Sequence, residues 1–183
     1  MKKQLLTLIA FITTGLAFGQ AVNNGGFENW DLTTYDALQY YNNSNFNNSN
    51  TQPLNSVKTT DAFHGSFAVQ LTTIALGAQT AFGFVANGNP GPNGSGGTPY
   101  SQRPTGIRLY YKSTIVGTDS AIVIAQFRKA GSTIGLYLFK IGATKSSYTL
   151  FASPFAPALP MAPDTVIFWS CFQQCVCRNR ERG

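Results

Sequence analysis

From residue 56 onward, apolar and polar positions alternate in short runs. "SVKTT" (56–60) is rich in β-branched residues. In "SFAVQLTTIAL" (66–76), Phe67, Val69 and Leu71 share one face and Ala68, Gln70 and Thr72 the other. "AQTAFGFVAN" (78–87) puts Phe82 and Phe84 on one face. "GIRLYYKSTI" (106–115) sets Ile107, Leu109 and Tyr111 against Arg108, Tyr110 and Lys112. "DSAIVIAQFRKA" (119–130) sets Val123, Ala125 and Phe127 against Ile124, Gln126 and Arg128. "STIGLYLFKI" (132–141), "SYTLFASPF" (147–155) and "DTVIFWS" (164–170) complete the series. A period of two, punctuated by Gly, Asp, Ser and Pro, predicts antiparallel strands. Gly131-Ser132 is placed for a tight hairpin. No segment sustains a 3.6-residue period. About eight strands in one domain predict an all-β chain, most simply a jelly-roll β-sandwich.

Two segments interrupt this rhythm. "YYNNSNFNNSN" (40–50) is Asn-rich; Asn tolerates left-handed turns and competes for backbone hydrogen bonds, which predicts a loop. "NGNPGPNGSGGTPYSQRP" (87–104) is too rich in Gly and Pro for a strand interior and reads as a long loop. It has no GK[ST] and no following helix, so it is not a phosphate cradle.

The N-terminus changes the picture of where the chain works. Lys2 and Lys3 precede a mostly apolar run from Leu5 to Phe18, and Ala17-Phe18-Gly19 offers small residues at a cleavage site. Residues 1–19 therefore read as a signal peptide, which predicts a secreted or outer-cell-surface protein. The run is shorter than the roughly 20 residues of a membrane span, and no span is expected after cleavage. The mature β-sandwich domain is expected over residues 20–170.

Charge is sparse. Only 11% of residues are charged, against roughly 25% in an average soluble domain. The net charge of +6 is concentrated at the two ends; residues 21–170 hold eight Lys or Arg and six Asp or Glu, which is +2. That is no basic patch of the kind nucleic-acid binding needs. All three cysteines, Cys171, Cys175 and Cys177, lie in the basic tail 171–183. Their C-x3-C-x-C spacing matches no common zinc pattern, and the only histidine, His64, is remote in sequence. The tail shows no strand alternation. It predicts an end altered by frameshift or truncation, with the closing strand of the sandwich lost.

Three stretches carry a family resemblance. "NGGFENW" (24–30) resembles the opening strand of jelly-roll carbohydrate-binding modules, "TDAFHGSFAVQL" (60–71) their His-Gly-Ser turn and following strand. "GGTPYSQRPTGIRLYYK" (96–112) looks like the Gly-x-Pro-Tyr…Arg-Pro…Tyr-Tyr-Lys segment of the carbohydrate metabolism domains of secreted bacterial proteins. The landmarks span residues 24 to about 168. The resemblance implies a galactose-binding-like jelly roll, an exported location and a role at glycans. It also implies a structural Ca²⁺ beside the first strand, with Glu28 at the matching position and Asp61 as second contributor. The Asp pair that usually completes that site on the last strand has no counterpart after Asp164.

The function expected is a non-catalytic carbohydrate-binding module whose partner is a polysaccharide or cell-surface glycan. Sugars present apolar C–H faces to aromatic rings, and the candidates are Trp30, Tyr35, Tyr40, Tyr41, Phe46 and Tyr100, with Arg103 to bond hydroxyls or a uronate. Each has a packing alternative; Arg103-Pro104 also suits a lock of the loop onto the sheet through carbonyls. A structural or adhesive accessory domain without a small ligand is the first alternative. A glycoside hydrolase-like enzyme is the second. It needs two paired carboxylates, one with a raised pKa, and no spacing among Glu28, Asp31, Asp36, Asp61, Asp119 and Asp164 marks a pair. No other cofactor is expected.

Overall fold

The computed structural model describes residues 23–32, 35–47, 54–76, 79–88, 96–172 and 174–179. The expected signal peptide lies outside the described residues. Among those described, the strands in chain order are β1 (Trp30–Leu32), β2 (Asp36–Leu38), β3 (Tyr41–Asn43), β4 (Ser56–Thr59), β5 (Ala68–Thr72), β6 (Ile74–Leu76), β7 (Gln79–Ala81) and β8 (Gly83–Asn87), followed by β9 (Thr98–Pro99), β10 (Gly106–Ser113), β11 (Ala121–Lys129), β12 (Ser132–Ile141), β13 (Lys145–Pro154), β14 (Thr165–Phe172) and β15 (Gln174–Asn179). No described helix is long and apolar enough to cross a membrane.

The chain is a jelly-roll sandwich of two antiparallel sheets. One has the order β13-β10-β15-β5-β4; the other runs β12-β11-β14-β8-β3, with β9 also on β14. Successive long strands keep changing sheet: β10 to β11, β12 to β13, and β14 to β15 each cross over. β1–β2 and β6–β7 are small separate hairpins. The core lies between the sheets. Val69, Leu71, Leu109 and Tyr111 face it from the first, and Val85, Val123, Ala125, Phe127, Tyr137 and Val166 from the second. This matches the faces predicted for β5, β10 and β11. The two-residue period works here because burying one sheet face against another removes apolar area from water at about 25 cal/mol per Å².

The β11–β12 hairpin turns one residue earlier than expected. Lys129 pairs Ser132, so the loop is Ala130-Gly131. Both have positive φ, 48° and 80°, the two-residue turn whose twist suits a hairpin. Arg128 closes it, donating from Nε and Nη2 to the Gly131 carbonyl at 3.1 and 2.6 Å. The run 66–76 is likewise not one strand. It breaks at Thr73 between β5 and β6, and Phe82, expected to share a face with Phe84, stands exposed between β7 and β8.

The Asn-rich stretch is not a plain loop. It forms β3 and a 3-10 turn at Ser44–Asn47, with Asn43, Ser44 and Asn45 buried. Asn45 Oδ1 accepts the amides of Asn55 and Ser56, both at 3.0 Å, and its Nδ2 donates to the Ser56 carbonyl at 2.5 Å. Ser44 donates to Asn55 Oδ1, and Ser56 donates to the Phe84 carbonyl at 2.9 Å. The physical reason is that an Asn side chain is itself an amide. It can complete a ladder from inside, so a polar run can be buried when its groups are paired.

The tail also departs from expectation. β14 continues to Phe172, and β15 fills the space between β10 and β5, antiparallel to both: Arg178 pairs Tyr110, and Val176 pairs Gln70. The sheet therefore has the strand that was expected to be missing, and it is central. Two facing strands present backbone donors and acceptors that any non-proline chain can satisfy. Side-chain alternation, the signal absent from this tail, is not needed for that pairing.

Candidate functional site

The opening "NNGGFENW" builds a bracket. Residues 23–29 are turn and coil, not a strand. Asn24 and Phe27 both have positive φ, 52° and 58°. Asn24 holds the turn: its Nδ2 donates to the carbonyls of Asn29 (2.8 Å) and Gln39 (3.0 Å), and its Oδ1 accepts the Asn29 amide at 3.0 Å. Phe27 is buried against Tyr41, ring centroids 5.5 Å apart. Trp30 folds back, donating from Nε1 to the Phe27 carbonyl at 2.7 Å and packing half-buried on the core. Lys58 Nζ lies 5.5 Å from its ring and 4.1 Å from that of Phe67, and pairs with Asp36 at 3.6 Å.

Glu28 and Asp61 are both exposed, and each is engaged by protein groups. Glu28 Oε2 accepts the Ser66 amide at 3.3 Å, tying the N-terminal turn to the loop 60–67. That loop lies over the outer face of the five-stranded sheet. Lys112 Nζ donates to both Asp61 carboxylate oxygens, at 2.9 and 2.8 Å; Tyr148 Oη donates to the Asp61 carbonyl; Phe63 stacks on Tyr110. A Ca²⁺ ion takes about six to eight oxygens. The residues present do not fit one: Asp61 is already neutralised by a lysine, and no group of three or more His, Cys, Asp or Glu gathers among the described residues.

The expected sugar-stacking residues divide. Tyr41 and Tyr100 are core residues, each only 9% exposed. Tyr100 packs on Phe127 with centroids 6.1 Å apart, and its amide donates to the Asp164 carbonyl at 3.0 Å. Neither ring has a face free for a sugar: Tyr41 packs on Phe27 and Tyr100 on Phe127 inside the core. Arg103 takes its packing alternative: Nε donates to the Leu159 carbonyl at 2.7 Å, pinning the Gly/Pro-rich stretch to the 155–163 connection. Tyr35 is half-buried. Tyr40 is 59% exposed and sits at positive φ (63°) just before β3, its carbonyl accepting the Gly88 amide at 2.7 Å. Phe46 has a described backbone only.

The residue that sequence reading passed over is Trp169. In β14 Val166 and Ser170 are buried and Phe168 packs against the core, which leaves Trp169 on the outer face; Ile167, two residues before it, is itself buried beside Gly97. Trp169 is 52% exposed in the middle of the six-stranded sheet. Register places it in a row: Leu138, Ile124, Trp169, Ala86 and Asn42 lie side by side across β12, β11, β14, β8 and β3. Tyr40 immediately precedes β3, two residues from Asn42. Strand spacing and rise alone put its Cα about 12 Å from that of Trp169. Alternation could not find this face, because "VIFW" is apolar at every position. A half-exposed indole on a sheet surface is the informative observation.

Asn87 holds this part of the sheet. Its Oδ1 accepts the Phe168 amide at 2.5 Å, and its Nδ2 donates to Thr98 Oγ1 (2.5 Å) and the Val166 carbonyl (3.2 Å). The side chain is thus a rung of the ladder beside β14 where β8 ends and β9 has not begun. Cys171 is half-buried, and burial first, then the charge of Asp119, pushes its thiol pKa up. A protonated thiol is a poor nucleophile and metal ligand.

No family model matches the chain, and no curated relative aligns with it by sequence. Solved structures share the fold. The enzymatically active domain of tailspike protein 4 of bacteriophage CBA120 is 11% identical, with a TM-score of 0.54 over 88% of this chain. The arabinose-bound MgGH51 α-L-arabinofuranosidase is 11% identical, with a TM-score of 0.50 over 88% of this chain. This chain spans only 20% and 26% of those two proteins. The family 11 carbohydrate-binding module from Clostridium thermocellum, solved with a β-1,3-1,4-mixed-linked tetrasaccharide, is 8% identical; the match covers 82% of this chain and 92% of that one, at a TM-score of 0.44.

Proposed function

We propose that this chain is a secreted, non-catalytic module that binds polysaccharide through the outer face of its six-stranded sheet. The observation that carries the reading is Trp169, an indole held half-exposed in mid-sheet. A sugar ring stacked on it buries C–H groups against a π face, while Asn42, two strands away in the same row, offers its amide to the hydroxyls of an extended chain. Tyr40, about 12 Å along the surface, offers a second ring to an extended chain. A solved structure of similar fold, the MgGH51 α-L-arabinofuranosidase, holds arabinose, which agrees with this reading.

The described carboxylates favour binding over hydrolysis. Asp61 is paired with Lys112, Asp36 with Lys58, and Glu28 accepts the Ser66 amide. Asp119 caps the Ser120 amide at 2.7 Å, and Asp164 accepts the Ala130 amide at 2.7 Å. Glycoside hydrolysis asks for an acid of raised pKa beside a second carboxylate. The Ala130 amide holds the Asp164 carboxyl below the ordinary aspartate value, the opposite of what a general acid needs.

Affinity electrophoresis of the full chain through gels containing soluble polysaccharides tests the proposal. Retardation by at least one polysaccharide, lost in Trp169→Ala and weakened in Tyr40→Ala, is expected. Unchanged migration in every gel, for protein folded by circular dichroism, would overturn it in favour of an accessory domain without a sugar ligand.

A further inference from the structure

The six-stranded sheet ends at β12, and among the described residues no strand pairs its other edge. An open edge presents unpaired amides and carbonyls, and proteins blunt it with prolines, charges or bulges. The corresponding edge of the other sheet, β13, begins at Lys145 and ends at Pro154. β12 is ten residues long and holds no proline and no acid; Lys140 is its single charge. Its pairing with β11 skips Ile134 at a bulge, so the regular stretch is Gly135 to Ile141. On the outer face of that stretch Leu136 and Leu138 are 63% and 56% exposed.

We infer that β12 pairs with β12 of a second copy, antiparallel about a two-fold axis at Leu138. Opposed residues in a continuous sheet must share a face. Pairing about Leu138 satisfies this throughout: Leu138 meets its own copy and Leu136 meets Lys140 on the outer face, while Tyr137 meets Phe139 and Gly135 meets Ile141 on the inner. A slip of one residue would set outward leucines opposite inward aromatics. Charge selects the same axis. About Leu138 the two Lys140 ammonium groups stand four residues apart along the strands, about 13 Å, beyond the screening length of about 8 Å at physiological salt. An axis at Lys140 would bring them face to face. The apolar row Trp169–Ile124–Leu138 then continues without a break into the same row of the second copy. This inference does not rest on the glycan reading.

A single pair of seven-residue strands is smaller than the roughly 800 Å² per partner of a standard interface, so the dimer is expected to dissociate on dilution. Sedimentation velocity of the full chain over a wide concentration series reads this directly. A monomer–dimer equilibrium is expected for the wild-type chain. Leu138→Lys and Leu138→Glu alone should each sediment as monomers, because like charges meet on the axis; their equimolar mixture should recover the dimer. Leu136→Glu, which faces the Lys140 of the other copy twice, should tighten dimerisation about fivefold, two cross-strand ion pairs. A wild-type chain that stays monomeric at the highest concentration, or a Leu138→Lys dimer as strong as wild type, would overturn the pairing. Since Leu138 is exposed, near-UV circular dichroism can show that each variant keeps its packing, and the gain expected of Leu136→Glu cannot come from misfolding.

Discussion

Phe63 lies flat on Tyr110, ring centroids 3.8 Å apart and planes 13° from parallel. The stack fixes the loop 60–67 against the outer face of the five-stranded sheet, beside the Asp61–Lys112 pair. Tyr110, on the outward side of β10, is covered by the protein itself and is not a platform for ligand. Phe63→Ala should therefore loosen the loop. An aromatic pair is worth about 1 kcal/mol beyond its buried area, and a loss of that size should lower Tm by about 3 °C in a domain of this length. Differential scanning calorimetry checks the shift. Glycan retention should not change, because the loop lies on the sheet opposite to Trp169.

Asn87 makes a stronger demand. It is fully buried and satisfies the Phe168 amide, the Val166 carbonyl and Thr98 Oγ1. Asn87→Ala strands buried backbone groups, each costing about 1–3 kcal/mol, so a loss of roughly 3 kcal/mol is expected in urea denaturation. Asn87→Asp keeps the acceptor for Phe168 but sets a carboxylate oxygen against the Val166 carbonyl. It should be no better than the alanine.

Asp164 gives the pH dependence. Its pKa is lowered chiefly by the Ala130 amide at the hairpin, with Thr165 Oγ1 also donating at 3.0 Å. A carboxylate whose folded pKa lies below its unfolded value stabilises the fold above the unfolded value and ceases to do so as pH falls through the folded one. Comparing thermal unfolding of wild type and Asp164→Ala should show wild type more stable at neutral pH. That advantage should shrink below about pH 4, the ordinary aspartate range. A difference constant across that range would remove Asp164 from the account.

Deletion of residues 173–183 tests the central position of β15. Without it β10 and β5 face each other across a gap, and the sheet loses pairing on two strands. The shortened chain should lose cooperative unfolding and aggregate, as exposed strand edges do. A deletion variant that melts like wild type would show that the closing strand contributes nothing.

How far the sequence carried the fold depends on which face of each strand was polar. In β10 and β11 apolar and polar positions alternate cleanly, and Leu109, Tyr111, Val123 and Phe127 are buried as expected. In β14 every position from Val166 to Trp169 is apolar, and alternation cannot say which side faces out. Trp169 was therefore invisible, although it lies in a correctly placed strand. The Asn-rich segment failed for a different reason. Composition reports polarity, whereas burial depends on whether partners exist, and Asn45 finds its partners in Asn55 and Ser56, ten and eleven residues on. For Tyr41 and Tyr100 the error was to read ring chemistry without tertiary context: both pack on core rings contributed by distant strands or turns. β15 was missed because backbone pairing left no alternation in its side chains to read.

The chain has two tryptophans, which permits a direct test of the glycan platform. In Trp30→Phe, Trp169 is the only indole, and its fluorescence can be followed as a polysaccharide that retards the wild-type chain is added. The account predicts a saturable blue shift of Trp169 emission, with the same half-saturation as retardation in the gel. Trp169→Phe, with Trp30 alone, should show no shift. Retardation that persists while Trp169 emission stays constant would place binding elsewhere on the molecule and contradict the claim that the six-stranded sheet is the binding face.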